Sequence, residues 1–176
     1  NRERLSGGVC QAIIVNSGNA NCFTGEAGRE DALEMCALTA YTLGIESELV
    51  AGASTGHIGE RLPMDELRAG IAQLPDALSP EGGPMAAQAI MTTDLVPKQA
   101  AVRLALSGGQ VTIGAVAKGS GMIEPNMATM FCFLTTDAEA SAGTLQRALD
   151  RAVDESFHCL TVDGDTSTND MVLMLA

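Results

Sequence analysis

Basic residues are scarce in this 176-residue sequence: ten Lys and Arg stand against 22 Asp and Glu, for a net charge of −12. So few cations cannot neutralise many phosphates, which argues against nucleic acid or an anionic membrane surface as a partner. Histidine is scarcer still. His57 and His158 are the only two, and they lie too far apart in sequence to point to a metal centre. The five cysteines (Cys10, Cys22, Cys36, Cys132 and Cys159) are odd in number and form no C-x-x-C pair. That usage suits reduced, small apolar side chains in a cytoplasmic protein better than a disulfide scaffold or a zinc site. No apolar run approaches the length of a membrane span, and no stretch has the make-up of a signal peptide.

What remains is globular in character. Hydrophobic residues make up 46% of the chain and charged residues 18%, which is too apolar for disorder and enough for a real core. The acidic surface keeps the protein soluble and is compatible with a small cationic substrate. The chain starts at Asn1 in a polar segment and stops at Ala176 within the apolar run 171–175. We therefore expect residues 1–176 to be a single partial domain, a fragment of something longer.

Hydrophobic patterning predicts strands at 11–15, 48–53, 100–106, 111–117 and 130–134, with a hairpin-like turn at 107–109. Helices are expected at 25–44, closed by Gly44, from Pro63 through Leu74, at 85–91, and from a cap at Ser141 or Thr144 to Phe157. Segment 78–84 is rich in Pro and Gly but is too short for a domain linker. The irregular alternation of strands and helices gives an α/β or α+β layered class, neither barrel nor bundle.

Polar loops are expected at NSGNAN (16–21), STGHIG (54–59), TTD (92–94) and KGSGMIEPNMAT (118–129), each at the end of a strand or helix. Sites are commonly built in such places. These loops carry hydroxyls and amides but few titratable groups, so a serine-hydrolase triad has little to draw on. A threonine can still be a nucleophile if its base is its own α-amine, whose ordinary pKa is roughly 7.7–8.0. Thr129 would acquire that amine if the Ala128–Thr129 bond were cut. Asn16, Asn19 and Asn21 read as turn formers that hold a strand end. The run DGDTSTND (163–170) lacks the glutamate and the flanking helices of a calcium loop, and reads as a structural loop near the site.

The segment KGSGMIEPNMATM (118–130), with STGHIG (54–59), MTTD (91–94) and DGDTSTND (163–170) in that family's order, resembles the ornithine acetyltransferase family of arginine biosynthesis. The similarity runs from about Val15 to the last residue. It implies a layered, self-cleaving fold of the N-terminal-threonine-nucleophile type, cut at Ala128–Thr129. Residues 1–128 would then belong to an α chain, and Thr129 would open a β chain. By the same match, Thr129 is the nucleophile, Thr55 and Gly56 form the oxyanion hole, and Thr92, Lys118 and Thr129 bind substrate. The implied reaction moves acetyl from N-acetylornithine to glutamate, with no cofactor. Some family members also take acetyl-coenzyme A as donor. The implied partners are small molecules, with α and β chains assembling as a heterotetramer in the cytoplasm.

Taken singly, Thr55-Gly56 is an ordinary turn pair, Lys118 an ordinary strand-end cation, and Thr92 a helix-end residue supported by Thr93 or Asp94. Glu124, His57, Phe131 and Cys132 depart from the family pattern. A self-cleaved aminopeptidase or amidohydrolase, and an inactive paralogue, remain the alternatives.

Overall fold

Two apolar runs, at 12–15 and 50–53, pair side by side in a computed structural model that describes residues 1–124 and 130–176. Strand β1 (Ala12–Asn19) runs parallel to β2 (Val50–His57), in register from Ala12 opposite Val50 to Asn19 opposite His57. Parallel neighbours need a crossover, and helix α1 (Gly25–Leu43) supplies it. Its buried Met35, Cys36 and Ala40 pack with Ile14 and Val50 of the strands and with Ile71 of helix α2 (Met64–Ile71). Gly44 ends α1 in the left-handed conformation at φ 68°, its N–H reaching the carbonyls of Ala40 and Tyr41.

The helix expected from Pro63 to Leu74 is two pieces, α2 and the short α3 (Leu74–Ala77). Pro75 accounts for the break: it has no N–H to give, and its ring would strike the carbonyl one turn earlier. By their internal contacts the residues form two compact units, Asn1–Gly82 and Gly83–Ala176. The boundary falls inside the 78–84 connection that the sequence reading keeps within one domain.

In the second unit, helix α4 (Gly83–Ala89) precedes a four-stranded sheet of β3 (Lys98–Leu106), β4 (Gly109–Lys118), β5 (Phe131–Thr136) and β6 (Met171–Leu175), in that spatial order. The β3–β4 and β4–β5 pairs are antiparallel and the β5–β6 pair is parallel. Helix α5 (Ala142–Asp154) lies in the connection that a parallel pair requires. Ser141 caps it, its hydroxyl accepting from the Thr144 N–H at 3.3 Å. The helix stops three residues short of Phe157, because Ser156 adopts φ −134°, ψ −82°, outside the helical region. Buried Ile123, Met130 and Cys132 form a cluster, with Ala115, Ala117, Leu134, Phe157 and Val172 packed against it. Burial there pushes the Cys132 thiol up to about 11. All five cysteines are free thiols. The architecture is mixed α/β, as the patterning predicts. Among the described residues, no helix is long and apolar enough to cross a membrane.

Candidate active site

Two of the four expected loops prove to be partly strand. NSGN continues β1 as far as Asn19 and STGH continues β2 as far as His57, because each supplies the ladder partner the other needs. The pairing even runs on past the strands, with Ala20 N–H donating to His57 O at 2.8 Å and Gly59 N–H to Cys22 O at 3.0 Å. At this tip Gly18 lies opposite Gly56. Gly56 has φ +132°, and a Cβ there would lie 2.2 Å from both the carbonyl carbon and oxygen of Gly18. Only glycine fits such an approach of backbone to backbone. Next to it, Thr55 is buried at 1% exposure. Asn16 donates from Nδ2 to the Asn19 carbonyl at 2.9 Å, which agrees with its reading as a holder of the strand end. Asn21 likewise donates to the Gly28 carbonyl at 2.6 Å, fastening the loop to α1. Beyond the tip, Arg61 forks onto the buried Asp31 of α1 at 3.0 and 2.6 Å, anchoring the chain where it leaves β2.

The second unit holds a different kind of cluster. Lys118, the last residue of β4, is 3% exposed, and its ammonium donates to the Thr92 hydroxyl at 2.9 Å. Thr92 belongs to the irregular connection between α4 and β3, so its position depends on side-chain ties rather than on a ladder. Asp94 provides them. One of its carboxylate oxygens accepts from Lys98 Nζ at 2.6 Å and from the Gly119 N–H at 2.7 Å, and the other accepts from the Thr92 N–H at 3.3 Å. Thr93 and Ser120 share a hydrogen bond at 2.7 Å between the same two segments.

Burial alone would raise the Asp94 carboxyl. The Lys98 ammonium and the two backbone N–H groups outweigh it, and the group lies below the usual carboxylate range. Burial also pulls the Lys118 ammonium below its ordinary range; Asp94 and Asp170 oppose that fall, and Lys98 adds to it.

The DGDTSTND run grips the 118–130 segment on both sides. Asp163 accepts from the Met122 and Ile123 N–H groups at 2.6 and 2.8 Å, and those bonds hold its carboxyl below the usual range. Asp170 accepts from the Met130 N–H at 3.0 Å; burial raises its carboxyl, while that bond, Ser167 and the Lys118 charge act the other way. The loop nature of this run thus comes with a specific task.

Of the residues singled out in the sequence, Thr92 and Lys118 are brought into contact in the second unit. Thr55 and Gly56 lie side by side at the end of β2 in the first. Ala128 and Thr129 lie outside the described residues. Sequence reasoning missed Lys98, Asp163 and Asp170 as members of the constellation, and gave Asp94 only a share in supporting Thr92. The spacing of Lys98 four residues after Asp94, and aspartates at both ends of DGDTSTND, were the available signals.

The chain is thus a mixed α/β protein with a buried lysine–threonine pair beside a strand end. Residues 1–176 match the ArgJ family, and the chain belongs to it. It is similar to the arginine biosynthesis bifunctional protein ArgJ of Symbiobacterium thermophilum, with 62% identity over 175 residues, 99% of this chain and 44% of that protein. Against its counterpart from Synechococcus sp. the identity is 56% over 176 residues, 99% of this chain and 42% of that one. The chain therefore spans less than half the length of these curated relatives. Among solved structures it is similar to ArgJ from Bacillus halodurans, with TM-score 0.66 and 48% identity over 72% of this chain and 67% of that one. It is also similar to ornithine acetyltransferase complexed with ornithine from Mycobacterium tuberculosis, with TM-score 0.65 and 42% identity over 71% and 67% of the two chains.

Proposed function

We propose that residues 1–176 form part of an acetyltransferase that moves the acetyl group of N-acetylornithine to glutamate in arginine biosynthesis. The observation that carries this reading is the buried Lys118 ammonium on the Thr92 hydroxyl, at 2.9 Å, in a chain of the ArgJ family. A buried cation beside a hydroxyl can receive the α-carboxylate that both substrates share, and geometry of this kind is where a charge-assisted bond is strong. The ornithine complex of a similar protein supports an amino-acid ligand of this class.

In the proposed mechanism the chain cuts itself at Ala128–Thr129, with water adding across the peptide bond. This leaves an α part (1–128) that ends in the Ala128 carboxylate and a β part that begins with the free amine of Thr129. The freed amine of Thr129 takes the proton from its own hydroxyl as Oγ attacks the acetyl carbonyl. Thr55 and the Gly56 N–H stabilise the oxyanion, each donor contributing on the order of 3–4 kcal/mol in comparable sites. As the tetrahedral adduct collapses, the ornithine amine leaves with the proton and an acetyl ester remains on Thr129. The amine of glutamate then attacks that ester and carries the acetyl group away, restoring the hydroxyl. No cofactor enters the cycle, although acetyl-coenzyme A would serve as an alternative acetyl donor. A cytoplasmic heterotetramer of α and β parts completes the reading.

Steady-state kinetics on the full-length protein test it. Acetyl transfer with parallel double-reciprocal lines for N-acetylornithine and glutamate is the expected result. Release of acetate with glutamate left unmodified would instead identify a self-cleaved amidohydrolase, and no turnover at all an inactive paralogue.

A further inference from the structure

Asp94 has no side-chain surface exposed, yet it stands between the two residues assigned to substrate. Its carboxylate accepts the Thr92 N–H on one side and the Gly119 N–H, the peptide directly after Lys118, on the other. Lys98, whose side chain is 42% exposed, brings the counter-charge at 2.6 Å. A carboxylate is suited to this place because it can accept from three donors, two of them in its own stretch of chain and the third after β4, which an amide oxygen cannot do equally well.

We propose that Asp94 is a positioning residue for the substrate subsite, setting the distance between the Thr92 hydroxyl and the Lys118 ammonium that together receive the α-carboxylate of acetyl donor and acceptor alike. This rests on the reading of Thr92 and Lys118 as substrate contacts. Because one pair serves both half-reactions, a displaced pair affects both substrates together. Asp94 also has an electrostatic effect. Among the described residues, the charged groups acting on Lys118 include Asp94, Lys98 and Asp170; the Asp94 charge helps keep the ammonium protonated while Lys98 works against it.

The test uses the full-length protein and measures KM and kcat for N-acetylornithine and glutamate from neutral to alkaline pH. Lys118→Met comes first: unchanged KM values for both substrates would refute the subsite reading itself, whatever Asp94 does. Given raised KM values there, Asp94→Asn is expected to raise KM for both substrates by about tenfold, with kcat changing less. It should also bring the alkaline limb of kcat/KM to lower pH, since the Asp94 charge no longer offsets the effect of Lys98 on Lys118. Asp94→Glu restores the charge but not the reach, so the limb should return while KM stays raised. Lys98→Met, on a partly exposed chain, should move the limb to higher pH, and it decides the matter if Asp94→Asn does not fold. Wild-type KM values in folded Asp94→Asn, full rescue of KM by Asp94→Glu, or an unmoved limb in Lys98→Met would overturn the proposal.

Discussion

The β1–β2 tip and the Lys118 cluster solve the problem of building a site in opposite ways. The tip is built chiefly on backbone: Gly56 meets the Gly18 backbone so closely that a Cβ on Gly56 cannot fit, and the residue beside it, Thr55, is buried. The Lys118 cluster uses charge: the Lys118 ammonium donates to the Thr92 hydroxyl at 2.9 Å, and the Asp94 carboxylate accepts from the Lys98 ammonium at 2.6 Å and the Gly119 N–H at 2.7 Å. A site made of backbone is inseparable from the fold that carries it. A site made of buried charge is held at a desolvation cost to the fold, offset only while its partners are in place. Damage to the first should therefore appear chiefly as lost stability, and damage to the second as lost binding or altered pH response together with a smaller, pH-dependent loss of stability.

The largest expected effect belongs to the tip. Gly56→Ala places a Cβ 2.2 Å from the Gly18 backbone at a φ of +132°, so the strands must shift. We expect a loss of more than about 3 kcal/mol in chemical denaturation. Gly44→Ala is the control: it has φ +68° but open space around the new Cβ, and should lose about 1 kcal/mol. Equal losses at the two positions would mean that the close approach at the tip is not what demands glycine.

Lys118→Met sharpens the contrast from the other side. Melting should show a change within about 1 kcal/mol, because removing a buried charge relieves its desolvation. Substrate binding should weaken by about 2–5 kcal/mol, as expected when one partner of a buried charge pair is removed. A variant that unfolds would place Lys118 among the structural residues.

Legibility in the sequence follows the same divide. The strands, the hairpin, α1 with its Gly44 terminus and the Ser141 cap were readable because hydrophobic period and capping chemistry are local. The strand character of NSGN and STGH was not, since turn-forming residues become strand only when their partner, some 38 positions away by the Ser17–Thr55 pairing, is known. In the site, Lys118 and Thr92 could be singled out by motif, but no local pattern says that Asp94 accepts the Gly119 N–H or that Asp170 accepts that of Met130. Those bonds are long-range, and spacing carries no record of them.

A smaller effect is expected from acid. The Asp94 carboxyl is held below its usual range in the folded state, so its contribution to stability is present above the ordinary aspartate value of about 3.9 and fades as pH falls through the lowered one. The stability gap between wild type and Asp94→Asn should accordingly be full near neutrality and shrink below about pH 4. A gap that stays constant down to strong acid would show that the charge is not its source.

The smallest effect concerns the thiols. Cys159 is exposed, whereas Cys36 and Cys132 are buried with their thiols pushed up by burial. Brief alkylation of the native protein should label Cys159 and spare those two until denaturant is added. Early labelling of Cys132 would contradict the packing of the Ile123–Met130 cluster.

Everything proposed for the charged subsite presumes that Thr129 becomes an N-terminal nucleophile. Mass spectrometry of the full-length protein, before and after addition of N-acetylornithine without glutamate, tests that directly. The account predicts two chains, the second beginning at Thr129 and gaining one acetyl group at that residue, with Thr129→Ala remaining uncut. A wild-type chain that stays whole, or a cut chain that acquires no acetyl group, would contradict it.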